Sequence, residues 1–232
     1  MRKLLYVPII HMEPDLGSLV GSIQEKSSYI VGEERWRKHK ETVSAFWDSI
    51  ANYFDSVEGI EFKIYQDGLM AAGDLGMRII KEGAEKGSKN YMLVLKLIER
   101  GGELRKTEDA GLLLAEYDYI SKIVQSKNLL KVMAAYLRYR MRKKQLTMTR
   151  DKFIARTVNE TLRDDEVGVL FIGAYHDVLA FLAKDIVIEQ LKERKKVKAY
   201  FEELIHGKEE AKFEALAKYL VSPVGQWTEG ES

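Results

Sequence analysis

Two continuous apolar runs constrain the fold of this chain more than any other feature. Leu4 to Ile10 forms the first run, and the segment VGVLFIG at 167–173 forms the second. Apolar runs of this length without polar alternation are typical of strands that are buried on both faces of a parallel sheet. Long stretches with helical spacing separate the predicted strands. This order predicts an α/β fold with a mainly parallel central sheet, flanked by helices.

The chain length and the absence of linkers favour a single domain. The 232 residues are enough to bury a substantial core, and we find no repeat or low-complexity segment. We expect one α/β domain over residues 1–222, with a helical insertion at about 109–148 and a C-terminal tail at 223–232.

Composition excludes several kinds of chemistry. The chain has no cysteine, so disulfides, thiolate metal sites and a cysteine nucleophile are ruled out, and a cytoplasmic location is expected. A net charge of +1 gives no global reason for a nucleic-acid or membrane partner. The apolar segment near the N-terminus ends at His11, and no later apolar segment is long enough for a membrane-spanning helix. We therefore expect neither export nor a membrane partner.

The first half of the chain is predicted to alternate helices with short extended segments. Apolar residues recur at helical spacing after Glu33, whereas glycines and Asp67-Gly68 mark the ends of elements. The predicted elements are a helix from Glu33 to Phe54, a strand at IEFKIYQDG, a helix capped by Asp74 and running to about Lys86, a helix ending at about Arg100, and an extended piece to Thr107. The segment YMLVLKLIERGGEL also fits a strand, but a helix is favoured.

The second half is predicted to be mostly helical around the strand at 167–173. Capping residues and period-two alternation set the boundaries. The predicted elements are helices at Asp109–Val124 and Asn128–Lys144, a helix from Arg150 to Leu162 capped by Thr149, a helix capped by Asp177 and running through Leu191, an edge strand in KKVKAYFEEL, and a last helix from Lys208 to Leu220.

Polar side chains follow three of the predicted strands. They are His11 with Glu13, Asp67, and His176 with Asp177. The carboxyl ends of parallel strands meet at one edge of a sheet, where two histidines and several carboxylates bind a divalent metal or share acid–base work. A single histidine at such a point is more often a polar residue leaving the core. Gly173 allows a sharp turn or a close approach to a ligand.

The other two histidines have simpler interpretations. His39 lies within the charged segment ERWRKHKE and is expected on a solvated surface, and His206 precedes Gly207 near a helix end, where capping is expected.

A strongly basic segment runs from Ser121 to Arg150. It contains no acidic residue, and Tyr136 and Tyr139 are interleaved with its basic residues. A solvated helix face is the usual explanation of a charge run, but this one also suits nucleic acid, a phosphorylated ligand or an acidic partner. The basic residues are Lys122, Lys127, Lys131, Arg138, Arg140, Arg142, Lys143, Lys144 and Arg150.

One segment, RDKFIARTVNETLRDDEVGVLFIGAYH, resembles the closing motif of the TraB/Tiki family within the erythromycin-esterase-like and ChaN-like superfamily. In that motif an arginine followed by Asp or Asn opens a helix, and a short strand and G-A-x-H follow. His11 in VPIIH and Asp67 in KIYQDG stand where the family has a first-strand histidine and a second-strand acid, although Pro8 replaces a glycine and Asp replaces Glu. The matching residues are Arg150, Asp151, Ala155, Val158, Leu162, Gly173, Ala174 and His176.

The resemblance implies a pocket in which two histidines, an acid and an arginine converge. Members of the superfamily include metal-dependent peptidases, metal-independent ester hydrolases and haem binders, so the resemblance leaves the reaction open. The chain has no G-x-S-x-G turn, P-loop or G-x-G-x-x-G, so chemistry of those types is not indicated.

The leading hypothesis is a hydrolase acting on a small molecule or a peptide. His11 and His176 would hold a divalent Zn, Mn or Fe ion or serve as general base and acid. Asp67 would orient a histidine or bind the metal, and Arg150 would stabilise an oxyanion or bind a substrate anion. Candidate substrate-binding residues are Glu13, Glu108, Gly173 and Asp177.

Two alternatives remain open at this stage. One is a ligand-binding protein without turnover, holding haem or a phosphorylated molecule. The other is a nucleic-acid-associated protein that uses residues 121–150. A homo-oligomer is compatible with any of them.

Overall fold

Over the residues that the structure describes, the fold is a five-stranded, all-parallel sheet flanked by helices, which confirms the predicted α/β class. It is seen in a computed structural model that describes residues 1–10, 31–126, 128–207 and 209–225. The strands are β1 (Arg2–Ile9), β2 (Lys63–Gln66), β3 (Glu103–Arg105), β4 (Val167–Gly173) and β5 (Ile186–Gln190). The helices are α1 (Glu33–Ser56), α2 (Gly73–Glu85), α3 (Lys89–Glu99), α4 (Ala110–Gln125), α5 (Leu129–Thr161), α6 (Arg194–His206) and α7 (Glu210–Val221).

The strand order is β3-β2-β4-β1-β5, so the two apolar runs lie side by side in the centre of the sheet. Leu5 of β1 pairs with Val169 of β4, and β1 also pairs with β5. Each central strand therefore has neighbours on both sides, which explains its almost unbroken apolar sequence.

Alternate side chains of β1 divide the core into two layers. Leu5 and Val7 pack on the side that holds Trp47 of α1. Leu4 and Tyr6 pack on the opposite side, against the second half of α5. Because both faces of the sheet are covered, polar groups of the central strands can reach solvent only at the two ends of the strands.

Several sequence predictions of element type were wrong in the C-terminal third. KKVKAYFEEL is not an edge strand but lies in α6, where Val197, Tyr200 and Leu204 are buried at helical spacing. The segment after Asp177 is not a long helix. It forms a short 3₁₀ helix at Val178–Phe181 and then β5. Pairing with β1 supplies the backbone hydrogen bonds of β5 and outweighs the local helical pattern.

Two predicted helix starts also differ. Thr149 caps no helix, because α5 continues through it and its hydroxyl donates to the carbonyl of Gln145 at 2.9 Å. Asp74 lies in the first turn of α2, and Ala72 is the capping residue. Asp109 does cap α4, accepting from the N–H of Gly111 at 2.9 Å. The assignment of residues 1–222 to one domain remains a prediction.

His39 is buried rather than solvated. It lies on the inner side of α1, and its Nδ1 is 3.0 Å from the hydroxyl oxygen of Tyr200 in α6. The ring of Trp36 lies 5.0 Å away, centroid to centroid. Burial lowers the pKa of His39 to about 4, so the neutral imidazole is the form that the fold accommodates.

Acidification is expected to destabilise the protein through His39. Its pKa is lower in the folded chain (about 4) than in the unfolded chain (about 6.5), so its stabilising contribution is complete above pH 6.5 and lost as pH falls towards 4. The shift corresponds to about 3 kcal/mol. Urea unfolding should be measured for the wild type and for His39→Gln between pH 6.5 and 4. We expect the free energy of unfolding of the wild type to fall by about 3 kcal/mol more than that of the variant.

The exposed His206 provides the control for this comparison, since His206→Gln makes the same substitution at a position outside the core. If the free energies of unfolding of the wild type and His39→Gln changed with pH in the same way, protonation of His39 would not destabilise the folded chain, and the prediction would be wrong.

Candidate functional site

Between the neighbouring strands β2 and β4, the direction in which the chain adds strands to the sheet reverses. After β2 the chain continues to β3 at one edge, whereas after β4 it crosses to β5 at the other edge. In open parallel sheets the crevice at such a reversal is the usual place for a ligand. Asp67 follows β2 directly, and His176 lies three residues after the end of β4, so both are at this reversal point.

Asp67 is held against the end of β4. Its backbone N–H donates to the carbonyl of Phe171 at 2.8 Å, and its Oδ2 accepts from the N–H of Gly173 at 3.0 Å. A Cβ atom at Gly173 would lie 3.3 Å from that Oδ2 and 3.4 Å from Cδ2 of His176. Gly173 thus provides the space in which the aspartate and the histidine approach each other.

Arg150 is bound by two carboxylates. Its Nε lies 3.1 Å from both carboxylate oxygens of Glu108, and its Nη2 lies 2.5 Å from Oε1 of Glu108 and 3.1 Å from Oδ1 of Asp67. All three side chains are buried, Glu108 completely. Planar guanidinium groups suit this bidentate geometry, which fixes the side chain of Arg150 rigidly.

The segment after β3 positions Glu108. The backbone N–H groups of Thr107 and Glu108 both donate to the carbonyl of Leu69 at 3.0 Å, and the Thr107 hydroxyl donates to the carbonyl of Gln66. Burial raises the pKa of Glu108, and the hydrogen bonds from Arg150 oppose that rise. The Glu108 carboxylate therefore depends on Arg150 for its charge.

His176 forms a buried pair with Asp151. Its Nδ1 is 2.6 Å from Oδ1 of Asp151, whose Oδ2 accepts from the backbone N–H of Asp177 at 2.9 Å. The other ring nitrogen, Nε2, is 4.0 Å from Oδ2 of Asp67. Asp151 therefore fixes both the ring and the turn that carries it, and Nε2 faces the arginine–carboxylate group.

Opposing effects act on the pKa of His176. Burial lowers it, but the hydrogen bond to Asp151 and the charge of Asp67 together raise it above its ordinary value. The raised pKa favours the protonated ring, and an imidazole held by a carboxylate in this way can take up and release a proton.

Two further residues adjoin this group. Arg194 at the start of α6 donates to the carbonyl of His176 and forms an ion pair with Asp177 at 3.0 Å. The hydroxyl of Tyr6 is buried, and that burial raises its pKa. The charges of Asp151 and Asp67 also raise this pKa, whereas Arg194 lowers it.

The predicted site residues have different outcomes. Asp67, Glu108, Arg150, Gly173 and His176 are brought together at one edge of the sheet. Asp177 is adjacent, but its exposed carboxylate faces Arg194. His11 and Glu13 lie outside the described residues.

Sequence analysis missed Asp151 as a site residue. The spacing of Asp151 from the apolar residues that follow it could have indicated its role. Asp151 lies on the inner face of α5 together with Ile154, Ala155 and Val158, which are all buried. An acidic residue on an otherwise apolar face needs a buried partner, and His176 is that partner.

The described residues do not by themselves complete a metal site. Over 1–10 and 31–225, apart from residues 127 and 208, no group of three or more histidine and carboxylate side chains is arranged to hold an ion. His176 Nε2 and Asp67 Oδ2 supply two donors, and catalytic zinc sites commonly use three. His11 as a further donor remains a prediction.

Comparisons with protein-family models, with curated proteins and with solved structures give no match to this chain. Within the described residues, no helix is long and apolar enough to cross a membrane.

Proposed function

We propose that this chain is a hydrolase of the TraB/Tiki and erythromycin-esterase-like type, in which His176 transfers the proton. One observation carries the proposal. A histidine at the reversal point of the sheet has Nδ1 bound to a buried aspartate, while its Nε2 lies 4.0 Å from Oδ2 of Asp67, a carboxylate that also binds Arg150. A buried, oriented imidazole with a raised pKa is the arrangement that general acid–base catalysis needs.

The proposed step begins with the neutral imidazole. With Asp151 ionised, Nδ1 carries the proton and donates to Oδ1, so Nε2 has the free lone pair. Nε2 takes a proton from a water molecule as that water attacks an ester or amide carbonyl. Asp151 and Asp67 stabilise the resulting imidazolium, which then protonates the leaving group.

Arg150 acts in this proposal chiefly by position. The two carboxylates that bind it compensate its charge and fix its guanidinium against Asp67, whose Oδ2 lies 4.0 Å from Nε2 of His176. A substrate carbonyl or phosphoryl oxygen at Nε2 would lie in the electrostatic field of this group. We propose a small molecule or a peptide as the substrate and a cytoplasmic location.

Replacing His176 with glutamine is expected to lower the rate of hydrolysis by about 10²–10⁴-fold, because the proton-transfer group is lost. The probes are p-nitrophenyl esters and peptide anilides, each assayed with and without added Zn²⁺ or Mn²⁺. His206→Gln removes an exposed histidine and serves as the matched control. Circular dichroism verifies that each variant is folded.

Two outcomes would contradict the hydrolase proposal. One is equal hydrolysis by the wild type and His176→Gln. The other is a wild-type protein that binds the probes and hydrolyses none of them, which would favour a ligand-binding protein without turnover.

A further inference from the structure

The helical arm formed by α4 and the first part of α5 stands apart from the hydrophobic core. Among its described side chains from Ala110 to Thr149, none is buried, whereas Arg150 and the residues that follow it in α5 enter the core. The two helices pack mainly on each other, with the rings of Tyr119 and Tyr139 6.2 Å apart.

One face of α5 in this arm carries an exposed apolar stripe. Leu130 and Met141 are 77% and 74% exposed, and every other member of the stripe is also exposed. Residues that recur at these intervals lie on one side of a helix, and Tyr139 is on the opposite side, against α4. The stripe extends for about 27 Å along the helix. It consists of Leu130, Met133, Leu137, Met141 and Met148.

Basic side chains flank the apolar stripe along both of its sides. The helical period places one set beside the stripe in one direction and a second set in the other, and all of them are exposed. The first set is Lys131, Arg138 and Arg142, and the second is Arg140 and Lys144. Long basic side chains in such positions extend sideways from an apolar contact and place their charges at its rim.

Charge decides which occupant fits the stripe. A second copy of the chain would set one basic rim against another, since residues 121–150 include no acidic residue. Nucleic acid would bind the basic residues through phosphates but would leave the Leu and Met side chains uncovered. The occupant has to be apolar within and anionic at its surface.

We infer that the apolar stripe and its basic rims bind the surface of an anionic lipid bilayer. Helix α5 would lie in the plane of the interface, with Leu130, Leu137 and Met141 inserted among the acyl chains and the basic residues at the headgroups. A flat surface fits because α4 covers the opposite face of α5, so that a groove enclosing the helix would be blocked. This binding requires no membrane-spanning helix. It departs from the expectation of no membrane partner, which rested on the net charge of the whole chain and on the lengths of its apolar segments. It lies on a different surface from the proposed hydrolytic site.

Co-sedimentation with vesicles tests the inference on the full chain. The probes are phosphatidylcholine vesicles with and without phosphatidylserine as about a third of the lipid. We expect binding to the anionic vesicles only, weakening as salt rises from about 0.1 to 1 M. Arg138→Gln with Arg142→Gln should weaken binding on the order of 30-fold, at about fivefold for each charge near the surface.

Two further variants separate the apolar and the electrostatic contributions. Leu130→Gln, Leu137→Gln and Met141→Gln together should weaken binding by about 100-fold or more, with no effect on folding because these side chains are exposed. Lys81→Gln with Lys86→Gln makes the same change in net charge at exposed positions, one in α2 and one directly after it, and binding should change less than about twofold.

Three results would overturn the inference. The first is absence of binding, or equal binding to neutral and anionic vesicles. The second is a wild-type dimer in sedimentation velocity that the triple glutamine variant converts to a monomer, since a second copy would then cover the stripe. The third is salt-sensitive retention of duplex DNA that Arg138→Gln with Arg142→Gln abolishes and the triple glutamine variant keeps, with no vesicle binding.

Discussion

Replacing Arg150 with methionine is expected to lower the free energy of unfolding by about 3–5 kcal/mol. Methionine fills much of the same volume, but it leaves Glu108 and Asp67 buried without the guanidinium that they share. The cost arises mainly from this uncompensated charge. Urea unfolding at pH 7 measures the loss.

The pH dependence of the Arg150→Met variant distinguishes lost charge compensation from lost packing. As pH falls, the unpaired Glu108 takes up a proton, and the neutral acid costs less to bury, so the deficit should shrink. The double variant Arg150→Met with Glu108→Gln should recover much of the stability at neutral pH. A deficit that stays constant with pH and persists in the double variant would show that packing is the cause.

Arg156 is the matched control on the same helix. It is exposed, and its guanidinium lies 5.2 Å from the ring centroid of Phe153. Arg156→Met should change stability by less than about 0.5 kcal/mol.

The centre of the sheet could be predicted from sequence because burial on both faces leaves a direct mark. In Leu4–Ile10 and 167–173, hardly any position faces water, so the composition is apolar at every residue. The edge strand β5 could not be predicted in the same way. Its Val187 and Ile188 are exposed, and its hydrogen bonds come from β1, more than 180 residues earlier in the chain.

The candidate site was predicted to the extent that the sheet determines it. Asp67 and His176 follow strands whose parallel pairing brings their ends together, so their proximity could be inferred from the fold class. The pairing of His176 with Asp151 depends on where α5 crosses the sheet. Sequence analysis began a helix at Arg150, and this made Asp151 a first-turn residue. In the structure Asp151 lies well inside α5 and faces the core.

The buried polar side chains at this edge of the sheet fall into a structural group and a proposed catalytic group. Arg150, Glu108 and Asp67 connect α5 to the ends of β2 and β3, whereas Asp151 and His176 connect α5 to the end of β4. A variant that removes charge from the first part is expected to act on stability. A variant that changes only the proton positions in the second part is expected to act on chemistry.

Asp151→Asn is such a variant, and it is expected to lower hydrolysis by roughly 10²–10⁴-fold. The asparagine Oδ1 would accept from the N–H of Asp177, as Oδ2 of Asp151 does now, and this turns the amide N–H₂ towards Nδ1 of His176. Nδ1 must then accept, so the ring proton moves to Nε2. The nitrogen that faces Asp67 can no longer take a proton from water.

Two measurements distinguish this effect from a general loss of structure. Nitrogen-15 NMR of the histidine rings should show His176 changing from the Nδ1–H to the Nε2–H form, with its pKa lowered because the Asp151 carboxylate that raises it is gone. Asp118→Asn removes an exposed carboxylate from α4 and should change neither property. If Asp151→Asn retains wild-type activity although the tautomer has changed, then His176 does not act as the base, because its Nε2 would be protonated throughout the reaction.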